Sequence, residues 1–276
     1  MKNMKVMDAE FAQHFVRLCS EGYSRGWHER NGGNLSYRMT QADVDMVKDQ
    51  FFEREVRPTG CHVSKLGGEY FLVKATGGFM GNMARDPEHN MGIIRLDEKG
   101  ENYSILWGFS GNMHPTSELP SHLMNLEVVK ERTNGKYRIV YHCHPANIIA
   151  LTFVLPLTDE AFTKALWTSM TECPIIFPAG VGVLPWMVCG GEEIGTATSN
   201  LMKKYDIAIW AHHGIFCTGE DFDSVFGMMD AVEKSAEIEV KVLSMGGARQ
   251  TMTDENILAL EKPFGITVNR EFIHTK

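Results

Sequence analysis

Two histidines separated by one residue, His142 and His144, have a spacing that suits a metal ion. Residues 138–142 are β-branched and aromatic, with no breaker before Pro145, which predicts a β-strand. Side chains two positions apart lie on the same face of a strand. The sequence therefore predicts two imidazoles that project side by side from the end of a strand.

A second predicted strand ends in histidines and offers a third ligand. Residues 206–210 are apolar and are followed by His212 and His213. Three histidines with an open fourth position are typical of a catalytic zinc rather than a structural one. The alternative is that His142 and His144 are strand-end histidines bonded to backbone groups. The pattern alone leaves both interpretations open, and it does not choose between His212 and His213.

A predicted helix start brings together two hydroxyls and a carboxylate. Thr116 and Ser117 precede Glu118, and an apolar stripe over residues 118–132 predicts a helix there. In the structural interpretation, Thr116 or Ser117 is the N-cap and Glu118 is favourable in the first turn. In the functional one, the helix N-terminus binds phosphate and Glu118 acts as a general base beside a metal. The two interpretations are compatible.

Two glycine-containing loops offer further donors for an anion, namely Asn31-Gly32-Gly33-Asn34 and Thr76-Gly77-Gly78. Taken singly, each is most simply a turn. Neither has the spacing of a Walker or dinucleotide fingerprint, so we predict no nucleotide site.

Charge and composition exclude several classes of partner. The formal net charge of −8 disfavours nucleic acid and anionic membranes, but it allows an anionic small substrate at a local site. The most apolar stretch, residues 148–157, contains a proline and is about half the length that spans a bilayer. The six cysteines show no Cys-x-x-Cys pairing, and no signal-peptide pattern occurs. We therefore expect reduced thiols in a cytoplasmic protein.

The elements that must position these residues predict an α/β protein. Leu35, Tyr37 and Met39 alternate as in a half-buried strand. Further short strand signals precede the first central helix, at residues 70–74, 93–97 and 104–107. This order lacks the strict alternation of a Rossmann sheet. We expect a single domain over residues 1–276, with an excursion at about residues 40–68 and a mixed, largely antiparallel sheet flanked by helical layers.

Taken in order, several segments resemble the class II, zinc-dependent aldolases of the aldolase and adducin superfamily. They are residues 26–34, 115–120, 142–144, 171–173, 184–187 and 213–214. The resemblance extends from about residue 22 to residue 266. The Asn-Gly-Gly-Asn loop and the His-x-His pair belong to the wider superfamily, whereas Thr-Glu-Cys and Leu-Pro-Trp-Met point to its rhamnulose-1-phosphate aldolases.

The resemblance implies roles for particular residues. His142, His144 and His213 would bind Zn²⁺, and Glu118 would be the catalytic base. Glu172 would be a further catalytic residue that reaches the active site of a neighbouring subunit in a cyclic homotetramer. Three loops would hold the phosphate of a sugar phosphate through neutral donors rather than lysines; their members are Asn31, Gly33, Asn34, Thr76, Gly77, Thr116 and Ser117.

The implied activity is that of a lyase in L-rhamnose catabolism. It cleaves L-rhamnulose 1-phosphate reversibly to dihydroxyacetone phosphate and L-lactaldehyde, through an enediolate that zinc stabilises. Two positions depart from the family pattern. Thr76 stands where we expect serine and keeps the hydroxyl. His114 stands where we expect an apolar residue, and we expect this change to affect the fit of the aldehyde.

Three other functions are compatible with parts of this pattern. One is an L-fuculose-phosphate aldolase or a sugar-phosphate 4-epimerase of the same superfamily, and the extra segment at residues 40–68 favours rhamnulose over these. Another is an adducin-like interaction module, which the three histidines and Glu118 weigh against. The last is a His-x-His metal oxygenase, which gives no reason for three phosphate-type loops.

Overall fold

Nine strands form one mixed sheet in the computed structural model, which describes residues 4–275. The strands are β1 Asn34–Arg38, β2 Val56–Pro58, β3 Tyr70–Lys74, β4 Met91–Leu96, β5 Asn102–Gly108, β6 Ile139–Cys143, β7 Gly182–Leu184, β8 Ile207–Trp210 and β9 Gly214–Gly219. Their order across the sheet is β2-β5-β4-β3-β1-β6-β9-β8-β7. Only the β7·β8 pair is parallel among the paired strands of residues 4–275. The prediction of a mixed, largely antiparallel sheet is confirmed.

The helices cover this sheet. They are α1 Glu10–Ser24, α2 Gln41–Val47, α3 Pro87–Asn90, α4 Leu119–Arg132, α5 Ala146–Leu151, α6 Asp159–Ser169, α7 Glu172–Ile176, α8 Glu192–Met202, α9 Phe222–Ser244, α10 Asp254–Ala259 and α11 Glu261–Phe264. The longest, α9, begins with a capping box between Asp221 and Ser224. It buries Val225, Met229 and Val232 at helical spacing. No helix within residues 4–275 has the length and apolar character needed to cross a membrane.

The central strands are buried on both faces. Helices α1 and α9 pack on one side of the sheet, and α4 and α8 pack on the other. All five residues of β1 are buried, so the prediction of a half-buried strand is wrong. The alternating polar residues Asn34, Ser36 and Arg38 do not face solvent. Two of them have charged partners inside the fold. The Asn34 amide donates to Glu118, and the Arg38 guanidinium donates to Glu69.

The segment predicted as an excursion returns to the sheet. Residues 40–68 contain the short helix α2 and the strand β2, which pairs with β5 at the edge of the sheet. A helix of seven residues and a strand of three are too short to give a clear periodic signal, which explains why the sequence indicated only an irregular stretch.

Strand register brings the candidate residues to one end of the sheet. Asn34 of β1 lies opposite His142 of β6, and His142 lies opposite Phe216 of β9. The turn between β8 and β9 carries His213 to the same end. At the adjoining edge, an isolated bridge pairs Ala75 with Pro115 and so places the loops after β3 and before α4 side by side.

Candidate active site

Three imidazoles converge at the end of β6. His142 lies within the strand, His144 follows it, and His213 lies in the turn before β9. Their ligating nitrogens are all within 4.8 Å of one another. The Nε2 atoms of His142 and His144 are 3.1 Å apart. The structure thus brings together the three histidines that were predicted to share a metal.

The hydrogen bonds of the other ring nitrogens fix the tautomers. Nδ1 of His142 donates to the carbonyl oxygen of Ile215 at 3.0 Å, and Nδ1 of His144 donates to Oε1 of Glu29 at 2.7 Å. Both partners are acceptors, so in the neutral rings the proton lies on Nδ1 and both Nε2 atoms carry lone pairs. Two lone pairs facing each other at 3.1 Å form no hydrogen bond. A cation bound between them resolves the contact, so the donor set fits a metal ion.

Burial keeps His142 and His213 neutral. Burial and, to a lesser extent, the neighbouring His144 hold the pKa of His142 well below the usual value and lower the pKa of His213 to about 4. A neutral imidazole is the form that binds a metal. At neutral pH His142 and His213 are therefore ready to coordinate without releasing a proton.

The backbone explains why His213, and not its neighbour, belongs to the group. His212 has a φ of +61°, an unusual value for a residue other than glycine. Its backbone N–H donates to Oγ1 of Thr152 at 3.1 Å, and its ring lies 4.3 Å from the ring of Phe153, centroid to centroid. The turn thereby directs His212 away from His142 and His144.

Glu118 is a buried carboxylate beside the histidines. Its residue exposure is 7%, and its Oε2 accepts from Nδ2 of Asn34 at 2.8 Å and lies 3.6 Å from Nε2 of His142. Burial raises the pKa of Glu118, while the hydrogen bond from Asn34 opposes the rise. A carboxylate in this setting can bind a proton or a metal, as a general base beside a metal requires.

The predicted capping role of the two hydroxyls is wrong. Glu118 itself occupies the N-cap position of α4, and no side chain caps the helix there. The Glu118 N–H donates to Oγ1 of Thr116 at 3.3 Å, and Ser117 is exposed. Pro120 at the start of the helix has no N–H, which reduces the number of donors that a cap must satisfy. Thr116 and Ser117 both line the adjoining pocket.

The pocket next to the histidines has a volume of about 140 Å³. It includes all seven residues predicted to hold phosphate, together with Glu118, His144 and His213; its full lining is Asn31, Gly32, Gly33, Asn34, Lys74, Thr76, Gly77, Thr116, Ser117, Glu118, His144 and His213. Thr76 N–H donates to the His114 carbonyl at 2.8 Å, and Thr116 N–H donates to the Lys74 carbonyl at 2.9 Å. These bonds hold two of the three loops together.

Gly33 is needed where the first loop meets the histidine strand. Its φ is +69°, and a Cβ atom there would lie 2.3 Å from Nδ1 of His28 and 2.7 Å from the carbonyl oxygen of His142. Any side chain would push the loop away from β6. The Asn-Gly-Gly-Asn pattern is therefore more than a turn signal at this position.

Two residues that the sequence did not single out also lie at the site. Lys74 lines the pocket with only 2% of its surface exposed, and burial lowers its pKa to about 8. The resemblance implied neutral donors rather than lysines for the phosphate, and the lining of the pocket includes this lysine as well. Cys189 is exposed, with its Sγ within 4.8 Å of ligating atoms of Glu118 and His213. For Lys74, a usable signal was its position directly before a glycine-containing loop.

Glu172 and His114 lie apart from the pocket. Glu172 is exposed at the start of α7 and is not among the residues that line the pocket of its own chain. Nε2 of His114 lies 3.0 Å from Oε2 of Glu55, so this side chain pairs with the segment before β2. The hydroxyl of Thr76, by contrast, belongs to a residue of the pocket lining, in place of the expected serine.

Comparison with known proteins shows the family to which this chain belongs. Residues 13–240 match the family model described as "Class II Aldolase and Adducin N-terminal domain". A sugar-phosphate aldolase from Thermotoga maritima has a similar structure, with a TM-score of 0.74 and 26% identity over 87% of this chain and 97% of that one. The chain belongs to the class II aldolase family.

The similar curated proteins include several with one activity in their names. The chain is 43% identical to a rhamnulose-1-phosphate aldolase from Klebsiella pneumoniae (strain 342), over 95% of both chains. It is 44% identical to a rhamnulose-1-phosphate aldolase from Escherichia coli O139:H28, over 93% of this chain and 94% of that one. An L-fuculose 1-phosphate aldolase shares the fold with a TM-score of 0.60 at 16% identity.

Proposed function

We propose that the protein is a zinc-dependent aldolase that reversibly cleaves L-rhamnulose 1-phosphate to dihydroxyacetone phosphate and L-lactaldehyde. The observation that carries the proposal is the pair of facing Nε2 lone pairs of His142 and His144, 3.1 Å apart, at the edge of an anion-type pocket. The rhamnulose-1-phosphate aldolases at 43–44% identity over nearly the full chain support the choice of sugar.

His142, His144 and His213 would hold the metal. When bound, zinc supplies Lewis-acid stabilisation of the negative charge that develops on the oxygens of the three-carbon fragment. Glu29 and the Ile215 carbonyl keep two of the imidazoles in the tautomer and orientation that a metal needs.

The chain's own groups bind the substrate and move the proton. Hydroxyl and backbone N–H groups of the three loops would hold the phosphate and thereby fix the sugar relative to the histidines. In the synthetic direction, the Glu118 carboxylate would take a proton from the hydroxymethyl carbon of dihydroxyacetone phosphate. In the cleavage direction it returns that proton to the same carbon. The hydrogen bond from Asn34 orients the carboxylate for this transfer.

The direct test is release of dihydroxyacetone phosphate from L-rhamnulose 1-phosphate, with L-fuculose 1-phosphate and L-ribulose 5-phosphate assayed in parallel. We expect release from the rhamnulose ester, loss of release with a chelator and recovery on addition of zinc. His144→Ala should lose both the metal and the activity. Preference for the fuculose ester would overturn the choice of sugar, and stoichiometric zinc at unchanged affinity in His144→Ala would overturn the ligand set.

The proposal extends to a cytoplasmic homotetramer in which Glu172 acts at the pocket of a neighbouring subunit. The exposed position of Glu172, outside its own chain's pocket, is compatible with that role. Phe153, Val154 and Trp186 are 70%, 64% and 64% exposed and offer apolar surface for association. The six cysteines are free thiols, as a reducing compartment requires.

Light scattering tests the assembly. We expect the mass of a tetramer, together with a lower kcat at unchanged metal content in Glu172→Ala. A monomer with full activity would remove both the assembly and the role of Glu172.

A further inference from the structure

Lys74 is a buried ammonium group at the wall of the pocket. It ends strand β3, and its residue is 2% exposed. Lysine is almost never fully buried unless its charge is paired, because an ammonium group loses strong hydration on burial. A lysine in this position therefore needs a compensating negative charge.

The folded chain does not supply that charge by direct contact. An ammonium group has three donors, and Nζ of Lys74 donates to the carbonyl oxygen of Asn31 at 2.7 Å. Within residues 4–275, no carboxylate oxygen forms a salt bridge with it within 4.0 Å. Glu118 attracts it only from a greater distance. The Lys74 ammonium group therefore has N–H donors to spare at the wall of the pocket.

The surroundings of that pocket favour an anion. Asn31, whose carbonyl Lys74 contacts, begins the loop that lines the pocket together with the loops of residues 76–77 and 116–117. These loops carry hydroxyl groups and backbone N–H groups, which are neutral donors. The burial that makes an unpaired ammonium costly also strengthens its attraction to a charged ligand.

We propose that Lys74 is a substrate-binding residue that supplies a positive charge for the phosphate group of the substrate. The inference rests on the proposed function in that it assigns the phosphate to this pocket. The proposed site thus contains a positive charge, whereas the resemblance implied only neutral donors for the phosphate. The same ammonium group would then do two things: it holds the Asn-Gly-Gly-Asn loop through the Asn31 carbonyl, and it attracts the phosphate that this loop binds.

An alternative role for Lys74 is to anchor the loop alone. Two substitutions separate the roles. Lys74→Gln keeps an N–H donor for the Asn31 carbonyl but removes the charge, whereas Lys74→Met removes both. Lys99→Met serves as the control for loss of a positive charge, because Lys99 is exposed in the turn between β4 and β5.

The first measurement is the affinity of the metal-loaded protein for inorganic phosphate, from calorimetry and from the rise in Tm with phosphate. We expect the affinity to fall roughly 10- to 100-fold in both Lys74→Gln and Lys74→Met, the range for a hydrogen bond to a charged group. Lys99→Met should match the wild type. Without phosphate, Lys74→Gln should unfold at a urea concentration equal to or above that of the wild type, because a buried unpaired charge has been removed.

Loss of phosphate affinity in Lys74→Met alone would reduce Lys74 to an anchor and overturn the proposal, as would unchanged affinity in both variants. Turnover of L-rhamnulose 1-phosphate provides the second readout. We expect KM to rise in Lys74→Gln with kcat much less affected. If the wild type cleaves no sugar phosphate but binds inorganic phosphate in a Lys74-dependent manner, the proposed function fails and the role of Lys74 stands.

Discussion

Two glutamates, one buried and one half-buried, lie at separate pockets and show how a proposed reactive carboxylate differs from a structural one. Glu118 borders the pocket of about 140 Å³ beside the histidines, and Glu233 borders a larger pocket of about 250 Å³ next to α9. Burial raises the pKa of both carboxyl groups. Neither pocket size nor a raised pKa therefore identifies the reactive carboxylate.

The difference lies in how many donors each carboxylate receives. Oε1 of Glu233 accepts from the backbone N–H and from Nδ2 of Asn147 at 3.1 Å and 2.7 Å, and its Oε2 accepts from Ile148 N–H at 3.1 Å. These three hydrogen bonds tie both oxygens of the Glu233 carboxylate to the start of α5. Glu118 accepts from a single side-chain donor, Asn34, among the hydrogen bonds of residues 4–275. Spare acceptor capacity beside a pocket is what we expect of Glu118 as the proposed base.

The largest effect should follow from Glu118→Gln. We expect kcat to fall by about 10²–10⁴-fold, since the amide cannot move a proton at carbon. Zinc content and phosphate affinity should stay close to wild type, because the amide keeps the size of the side chain. Steady-state kinetics with metal analysis measures all three, and near-wild-type turnover would remove Glu118 as the base.

Glu29→Ala extends the comparison to an exposed carboxylate. The Glu29 side chain is 68% exposed, yet its Oε1 accepts from Nδ1 of His144 at 2.7 Å and sets the tautomer of this proposed metal ligand. We expect zinc affinity to fall roughly 10- to 100-fold, as is usual for the loss of a group that orients a ligand. Competition with a chromogenic chelator measures this. Glu21→Ala, an exposed residue of α1, is the matched control; equal affinities in the two variants would contradict the role of Glu29.

Glu233→Ala should affect stability and leave the chemistry in place. Removing the acceptor leaves N–H groups at the start of α5 without partners, at a cost of about 1–3 kcal/mol in the free energy of unfolding. Urea denaturation measures the loss. Turnover per bound zinc should remain close to wild type. A fall in turnover comparable to that of Glu118→Gln would erase the distinction between the two glutamates.

The smallest effect concerns pH. The pKa of Glu233 is raised above the usual 4.5 by burial, so the folded state holds the proton more tightly than the unfolded state. The stability that this carboxyl contributes is complete below pH 4.5 and is lost as the pH rises through the raised value. The free energy of unfolding of the wild type minus that of Glu233→Gln should therefore fall as the pH rises above 4.5.

Glu237, one turn further along α9, provides the opposite case. Hydrogen bonds from Lys234 and Lys241 lower its pKa to about 2. Its contribution is present above pH 4.5 and is lost as the pH falls toward 2. The free energy of unfolding of the wild type minus that of Glu237→Gln should therefore rise with pH, opposite to the difference for Glu233→Gln. If both differences changed with pH in the same direction, the assignment for Glu233 would be contradicted.

The histidine pair was predictable because it depends on local geometry alone. A period of two along a strand places His142 and His144 together whatever the rest of the fold does. The choice between His212 and His213 was not predictable from spacing, since it depends on the positive φ of one turn residue and on its bond to Thr152. Only the resemblance selected His213.

Tertiary context explains what the sequence did not predict. Lys74 ends an apolar strand, and its place in the pocket depends on the distant Asn31 loop that β1 brings alongside β3. The polar residues of β1 suggested a solvent-facing side because their partners, Glu118 and Glu69, are remote in the chain. The lining of the pocket was predicted well where motifs carried it, and missed where a single residue depended on packing.

The pairing of Asn34 with His142, and of His142 with Phe216, has a consequence for how the protein is made. Strands β1, β6 and β9 come from separate parts of the chain, and their contacts are among the late events expected in folding. The histidine cluster exists only when all three strands have paired in the correct register, since a slip of one residue would replace His142 with Cys143 on that face. During refolding, uptake of the metal would thus report on completion of the whole central sheet, and a chain stalled before β9 would remain unable to acquire it.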